Sequence, residues 1–175
     1  MWFNIFGGYR ISKDELFCNL VDADGYYFTH FLQDKAKTAY GGAELKYGYK
    51  DWFDASLKGT FYSWKTDNEN EELYLMTKPK FELNFYAEAK VFEGLKVYLG
   101  YEYVQRKEYV IEEGNSSRDF GLGNISNLSV GASYTFLKDL SVFGRVNNLL
   151  NKQYYYEYGY PAEKLNVLAG LSLVF

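Results

Sequence analysis

The chain has 175 residues, a formal net charge of -4 and a single cysteine, Cys18. This charge is small and of the wrong sign for a protein that binds nucleic acid, and a lone cysteine excludes an internal disulfide. Aromatic residues make up 21% of the chain although its mean hydropathy is -0.36. No apolar run reaches the roughly 18 residues of a transmembrane helix, but the alternating strands of a membrane barrel remain compatible with this composition.

The first segments of the chain show an imperfect alternation of apolar and polar residues. The opening stretch, FNIFGGYRI, lacks the cationic and apolar segments of a signal peptide and already has the pattern of a strand. The next two strands are predicted at AYGGAELKYGY and FDASLKGTFYSW, each with one mostly apolar side. No segment in this half of the chain has the periodicity of a helix.

The later segments alternate regularly. In FELNFYAEAKV, Phe81, Leu83 and Phe85 share one side, while Glu82 and Asn84 share the other. The same pattern recurs in LKVYLGYEY, LSVGASYTF and the closing LNVLAGLSLVF. Successive strand residues point to opposite faces, so each segment has one apolar and one mostly polar face.

The connections between the eight predicted strands alternate in length, which is typical of outer-membrane barrels. The even strand number puts both termini on the side of the short turns. The sequence therefore predicts an all-β, antiparallel, up-and-down transmembrane barrel of about eight strands, formed by residues 1–175 as a single unit. The short turns are predicted at 49–52, 92–95 and 136–140, and the long loops near 14–36, 65–78, 105–124 and 151–163.

The apolar face of each strand could lie either in the interior of a soluble protein or against the lipid of a membrane. A soluble, lipocalin-like binder would enclose that face, whereas an outer-membrane barrel would present it to lipid. Aromatic residues near the strand ends and the absence of charge on the apolar side favour lipid, because Lys or Arg at the bilayer midplane costs roughly 2–4 kcal/mol. The membrane interpretation predicts that Leu173, Val130 and Phe85 contact hydrocarbon, while Glu88 and Lys96 lie on the opposite face.

The stretch VNNLLNKQYYYEYGYPAEKLNVLAGLSLVF, residues 146–175, resembles the carboxyl-terminal end of TonB-dependent outer-membrane receptors. In that family an Asn-Leu-Leu-Asn segment, here 148–151, ends the penultimate strand, and a loop with Gly and Pro, here 159–162, precedes the last one. Ala162-Glu163-Lys164 departs from the Gly-Arg pair that the family often has there. The resemblance implies that Leu171, Leu173 and Phe175 form the signal read by the barrel-assembly machinery.

The resemblance covers only part of a receptor. Members of this family have about 22 strands and an amino-terminal plug domain, whereas this chain matches at most the last eight strands and contains no plug. One implied alternative is that the chain is the carboxyl-terminal part of a receptor for nutrient uptake. The plug and the other strands would then be missing, and the chain by itself would act as a scaffold rather than a transporter. The other is a standalone small outer-membrane barrel that binds a ligand or partner through its long loops.

Few residues indicate chemistry. His30, the only histidine, has no Ser placed beside it by a recognisable motif, so no enzymatic activity is expected. Asp22–Gly25 begins like a calcium loop, but Gln33 stands where a Glu would complete it, so neither a metal nor a cofactor is expected. No pattern names a ligand, and the candidate ligand-facing loop is an aromatic run whose tyrosines are Tyr154, Tyr155, Tyr156, Tyr158 and Tyr160.

Overall fold

A computed structural model describes residues 1–22, 26–66, 74–107, 110–113, 116–119, 122–157 and 160–174. For 17–22, 26–32, 34, 110–113, 116–119 and 157 it describes the backbone alone. No helix among the described residues is long and apolar enough to cross a membrane.

Most of the described chain is extended, and eight long strands form one antiparallel sheet in which neighbours along the chain pair with each other. This confirms the prediction of an all-β, up-and-down architecture. The strands are β1 (Trp2–Asp22), β2 (Tyr26–Tyr49), β3 (Phe53–Thr66), β4 (Pro79–Phe92), β5 (Leu95–Arg106), β6 (Val110–Glu113), β7 (Ser116–Asp119), β8 (Ile125–Leu137), β9 (Leu140–Asn147), β10 (Tyr155–Glu157), β11 (Tyr160–Pro161) and β12 (Asn166–Leu173).

The order across the sheet is β1-β2-β3-β4-β5-β8-β9-β12, while β6 pairs with β7 and β10 pairs with β11 as short separate hairpins. Within the described residues, β1 and β12 do not pair with each other, so the sheet is open at both edges.

The short turns lie at one end of the sheet, as predicted. Each is tied to a neighbouring segment by a backbone hydrogen bond, for example from the Thr135 amide to the Gly94 carbonyl oxygen at 2.9 Å. Gly94 has φ 86, and a Cβ there would lie 2.4 Å from the Thr135 oxygen, so this close approach requires glycine. The pairs Trp2↔Lys46 and Leu173↔Leu140 place the start of β1 and the end of β12 on the same side as the short turns.

The prediction of a long loop at 14–36 is wrong. β1 and β2 continue to pair from Lys13↔Lys35 to Asp22↔Tyr26, whereas the pairing of β2 with β3 stops at Ala36↔Thr66. Residues 13–22 and 26–35 therefore form a two-stranded ribbon, called here the projecting hairpin, that extends beyond the rest of the sheet. Its segments ELFCNLV and YYFTHFL are rich in aromatic and other apolar residues that favour strands, which outweighs the polar SKDE that precedes them.

The buried apolar residues lie at the long-loop end. One small cluster joins Ala36 and Tyr74, and another joins Val104, Ile125 and Tyr154. Among the described residues, no hydrophobic side chain in the middle of the sheet is fully buried. The sheet therefore has no enclosed apolar centre, and its two faces have to be considered separately.

Candidate functional site

The register of the sheet gathers the apolar residues on one side, called here the apolar face. Paired residues in adjacent strands point to the same side, so rows of the ladder define each face. One row crosses five strands through Leu45, Leu57, Phe85, Tyr101 and Leu128. The next row crosses seven strands through Tyr47, Ala55, Ala87, Leu99, Val130, Val146 and Val167.

The apolar face is open rather than covered. Leu173 is 62% exposed and Ile5 is 73% exposed, while Phe85 and Val130 are half-buried by their neighbours in the sheet. A soluble, lipocalin-like binder would enclose these side chains at the centre of its fold, but none of them is enclosed here. A monomeric soluble protein rarely exposes an apolar surface that crosses a whole sheet.

The polar face carries charges that pair with one another. The Lys96 ammonium lies 2.8 Å from the Glu88 carboxylate, and the Tyr86 hydroxyl donates to the same carboxylate at 3.1 Å. Farther along β4 on the same face, the Tyr62 hydroxyl donates to Glu82 at 2.8 Å. Such pairing fits a wall that faces a polar lumen, with Glu88 and Lys96 opposite Phe85 as the membrane interpretation predicts.

Aromatic rings mark both borders of the apolar face. At the short-turn end, Trp52 packs against Tyr49 and Phe53, with centroids 5.6 Å and 5.9 Å apart. Towards the long loops, Phe61 packs against Phe81 at 4.5 Å. The nine residues from Phe53 to Phe61 span about 26 Å along β3, or about 20 Å across a membrane at a strand tilt of roughly 40°, close to the apolar band of outer-membrane barrels.

Above the sheet, a charged cluster fixes the base of the projecting hairpin. Asp14 has φ 54, although the pairing of β1 with β2 continues in the same register past it. Glu15 then accepts hydrogen bonds from Lys78 at 2.6 Å and the Tyr74 hydroxyl at 2.8 Å. Burial alone would raise the pKa of Glu15, but these two hydrogen bonds and the Lys78 charge together lower it. Burial and the bond to Glu15 raise the pKa of Tyr74. The cluster connects β1 to the segment that precedes β4.

The Asn-Leu-Leu-Asn segment organises the loop between β9 and β12. Asn148 is 1% exposed and has φ 49. Its side-chain amide donates to the carbonyl oxygens of Lys152 at 2.8 Å and Glu163 at 3.1 Å, and its side-chain oxygen accepts from the Lys152 amide at 3.2 Å. Its own amide donates to the Asn127 side chain at 3.1 Å. This residue type is therefore required for the geometry of the loop, a role that the sequence pattern marked but did not reveal.

The tyrosines of the candidate ligand-facing loop have different environments. Tyr154 is 5% exposed and packs against Val104 and Ile125 in the interior. Tyr155 is half-buried, whereas Tyr156 and Tyr160 are exposed. Tyr158 lies outside the described residues. The surface of this loop is thus presented by Tyr156 and Tyr160 rather than by the whole run.

The other candidate residues are widely separated. Leu171 and Leu173 lie on the apolar face of β12, and Phe175 lies outside the described residues. The backbone of His30 pairs with Cys18 in the projecting hairpin rather than lying in a loop. Ala23 to Gly25 of the calcium-like stretch lie outside the described residues. Within the described part of the chain, no group of three or more His, Cys, Asp or Glu side chains is placed to hold a metal ion.

An antiparallel up-and-down sheet with an exposed, uncharged face, aromatic borders and a paired polar face has the architecture that is typical of the wall of a β-barrel. The solved structures provide particular relatives of this fold. The chain is similar to FpvA of P. aeruginosa bound to heterologous pyoverdines, with a TM-score of 0.70 and 15% identity over 98% of this chain and 24% of that chain. It is equally similar to FpvAI in complex with pyocin S2, with a TM-score of 0.70 and 15% identity over 98% of this chain and 25% of that one.

FpvA is a TonB-dependent receptor, so the expected likeness to a barrel portion of such a receptor is confirmed for the fold. The chain spans about a quarter of the length of these receptors. No protein-family model and no curated protein matches the chain.

Proposed function

We propose that the chain is a section of the barrel wall of a TonB-dependent outer-membrane receptor and serves there as a scaffold for nutrient uptake. The proposal rests above all on the exposed, uncharged face that crosses all eight strands between two aromatic borders. Hydrocarbon is the solvent that suits such a face. The ion-paired opposite face suits the polar interior of the barrel.

The open edges favour a section of a larger barrel over a standalone one. In lipid, unpaired backbone amide and carbonyl groups each cost several kcal/mol, so a spanning sheet must close. β1 and β12 each have one edge without a partner among the described residues. Strands supplied by the rest of a receptor would satisfy both edges, and the interior would then be wide enough for a plug domain and a substrate.

Cell fractionation of the full-length protein that contains this chain tests the membrane assignment. The protein is expected in the outer-membrane fraction, extracted only by detergent, and with a folded form that migrates differently on gels before and after heating. Removal of Phe175 is expected to lower the amount of this folded form, because we propose that Leu171, Leu173 and Phe175 engage the barrel-assembly machinery.

Ser172→Ala provides the matched control for that deletion, since Ser172 lies on the polar face of the same strand. Its assembly should equal that of the unmodified protein. A monomeric protein that stays in solution without detergent would contradict the proposal and support a lipocalin-like binder instead.

A further inference from the structure

The segment that joins β9 to β12 does not simply extend away from the sheet. Its described residues 152–157 and 160–163, called here the strap, fold across the polar face and reach β5. The strands lie in the order β5-β8-β9-β12, so the strap crosses β8 to arrive there, about 10 Å from β9 at two strand spacings. At the long-loop end, the strap therefore covers the polar face of neighbouring strands.

The strap buries three side chains of the polar face. Val104 pairs with Glu82 and with Ile125, which places Val104 and Ile125 on this face. Arg106, two residues further along β5, lies on the same face. Val104 and Arg106 are each 8% exposed, and Ile125 is 1% exposed. Tyr154 of the strap packs against Val104 and Ile125, so the cover is provided by the chain itself.

Arg106 fastens the strap to the wall. Its guanidinium group donates a hydrogen bond to the carbonyl oxygen of Tyr155. A second bond, from the Tyr156 hydroxyl to the Glu102 carboxylate at 3.2 Å, joins the strap to the same strand. Charge-assisted hydrogen bonds are the stronger kind, and a buried arginine is costly without a partner. Release of the strap would remove this acceptor from Arg106, so the folded-in position of the strap is favoured.

The returning arm of the strap is held as well. The Ala162 amide donates to the Tyr154 carbonyl oxygen at 2.9 Å, and the Asn148 side chain donates to the Glu163 carbonyl oxygen at 3.1 Å. One arm is therefore tied to β5 and the other to the base of the loop. A segment tied at both ends by buried contacts opens rarely.

We propose that the strap is a built-in constriction of the outer mouth of the barrel, and that Arg106 is the positioning residue that holds it inside the lumen. This inference rests on the proposed function, in which the polar face lines the lumen and the long-loop end faces outward. A hydrophilic solute that enters along this wall meets the strap first. The strap therefore sets how large a solute can reach the polar face below it.

Thiol labelling of the full-length protein in detergent tests the role of Arg106. In a Cys18→Ser background, Ala162→Cys places a thiol in the half-buried arm of the strap. Adding Arg106→Met should raise its rate of reaction with a small maleimide by about tenfold or more, because the strap opens more often without its charge-assisted bond. Arg106→Lys retains a donor for the Tyr155 carbonyl oxygen and should restore most of the slow reaction.

Arg145→Met is the matched control, since Arg145 is an exposed arginine on the polar face of β9. It should leave the labelling rate of Ala162→Cys unchanged. Tyr156→Phe removes only the bond to Glu102, should give a smaller increase than Arg106→Met, and replaces that variant if it does not fold. Equal labelling rates in the unmodified strap and in both strap variants would overturn the role of these bonds.

Reagents of different size test the constriction in intact cells. Ser129 pairs with Gly100 one row below the Glu102↔Asn127 pair on the polar face, so Ser129→Cys in the Cys18→Ser background places a thiol immediately below the strap. A maleimide carried on a long polyethylene glycol chain should not label this thiol from outside. Replacement of residues 153–162 by a short Gly-Ser linker should admit the same reagent. Labelling with the strap in place, or exclusion after its removal, would overturn the proposal.

Cell fractionation separates this proposal from the membrane assignment. If the protein reaches the outer membrane but the large reagent enters with the strap in place, the constriction alone is refuted. Absence of the unmodified protein from the outer membrane refutes both the proposed function and the constriction.

Discussion

At the scale of single residues, Asn148 has the most demanding environment. It combines a left-handed backbone with four hydrogen bonds through its side chain and amide, all within a buried site. Asparagine is among the few residues that adopt this backbone conformation readily. Its short side chain can then reach the carbonyl groups of a neighbouring loop, which neither Ala nor Gly can do.

Asn148→Ala is expected to lower the free energy of unfolding by about 2–5 kcal/mol, because buried groups lose their partners and Ala is strained at this φ. Asn148→Gly should be less destabilising by about 1 kcal/mol, since only the strain is relieved. Urea titration of the full-length protein in detergent measures both. Asn151→Ala is the control, because Asn151 has φ 50 but is exposed, so water replaces its bonds. An equal loss for both Ala variants would contradict this account.

At the scale of elements, alternation was a reliable guide where one face was strictly apolar. The pattern from Phe81 to Val91 predicted β4 almost completely. The projecting hairpin of β1 and β2 was missed because the polar run SKDE breaks the alternation in the sequence, and beyond this run the described residues of the two strands pair only with each other. The burial of Tyr154 was also hidden, since it depends on Val104 and Ile125, which are distant in sequence. Local periodicity contains no information about such contacts.

The base of the hairpin should depend on pH through Glu15. Its pKa is lowered in the folded chain from 4.5, so the stabilisation is present above that value and is lost as pH falls through the folded-state pKa. Lys78 lies 5.6 Å from the centroid of the Trp64 ring, so this loss should change the fluorescence of Trp64. The measurement uses a protein in which Trp2 and Trp52 are replaced by Phe.

Glu15→Gln should remove most of this pH dependence, because the amide cannot ionise. Glu93→Gln is the matched control, since Glu93 is exposed in a short turn at the opposite end. A transition below pH 4.5 that persists unchanged in Glu15→Gln would show that another group controls the cluster.

At the scale of the whole molecule, the central question is what completes the sheet. The alternation of short turns and long connections was evident from the sequence, and so was the even strand number. Closure was not, because pairing between the first and last strands leaves no periodic signal in either. The open order β1-β2-β3-β4-β5-β8-β9-β12 suits a larger barrel.

Cysteine pairs between the edge strands test closure in the full-length protein. In a Cys18→Ser background, one cysteine replaces Ile5 or Tyr9 on β1 and a second replaces Ala169 or Leu171 on β12. These cysteine pairs should not form an intramolecular disulfide if other strands lie between β1 and β12, because a disulfide needs Cα atoms within about 7 Å. Gel mobility before and after reduction reports the bond.

Leu57→Cys with Phe85→Cys is the positive control, since these residues are directly paired. Efficient crosslinking of an edge pair would identify a closed eight-stranded barrel.

The two free edges also determine how the chain behaves when it is made without its neighbours. The outer strand NVLAGLSL has no charge and no proline, the residues with which natural sheets discourage pairing between molecules. Copies produced alone would therefore add to one another edge by edge and accumulate as aggregates. Recovery of this chain in native form depends on supplying the strands that belong beside it.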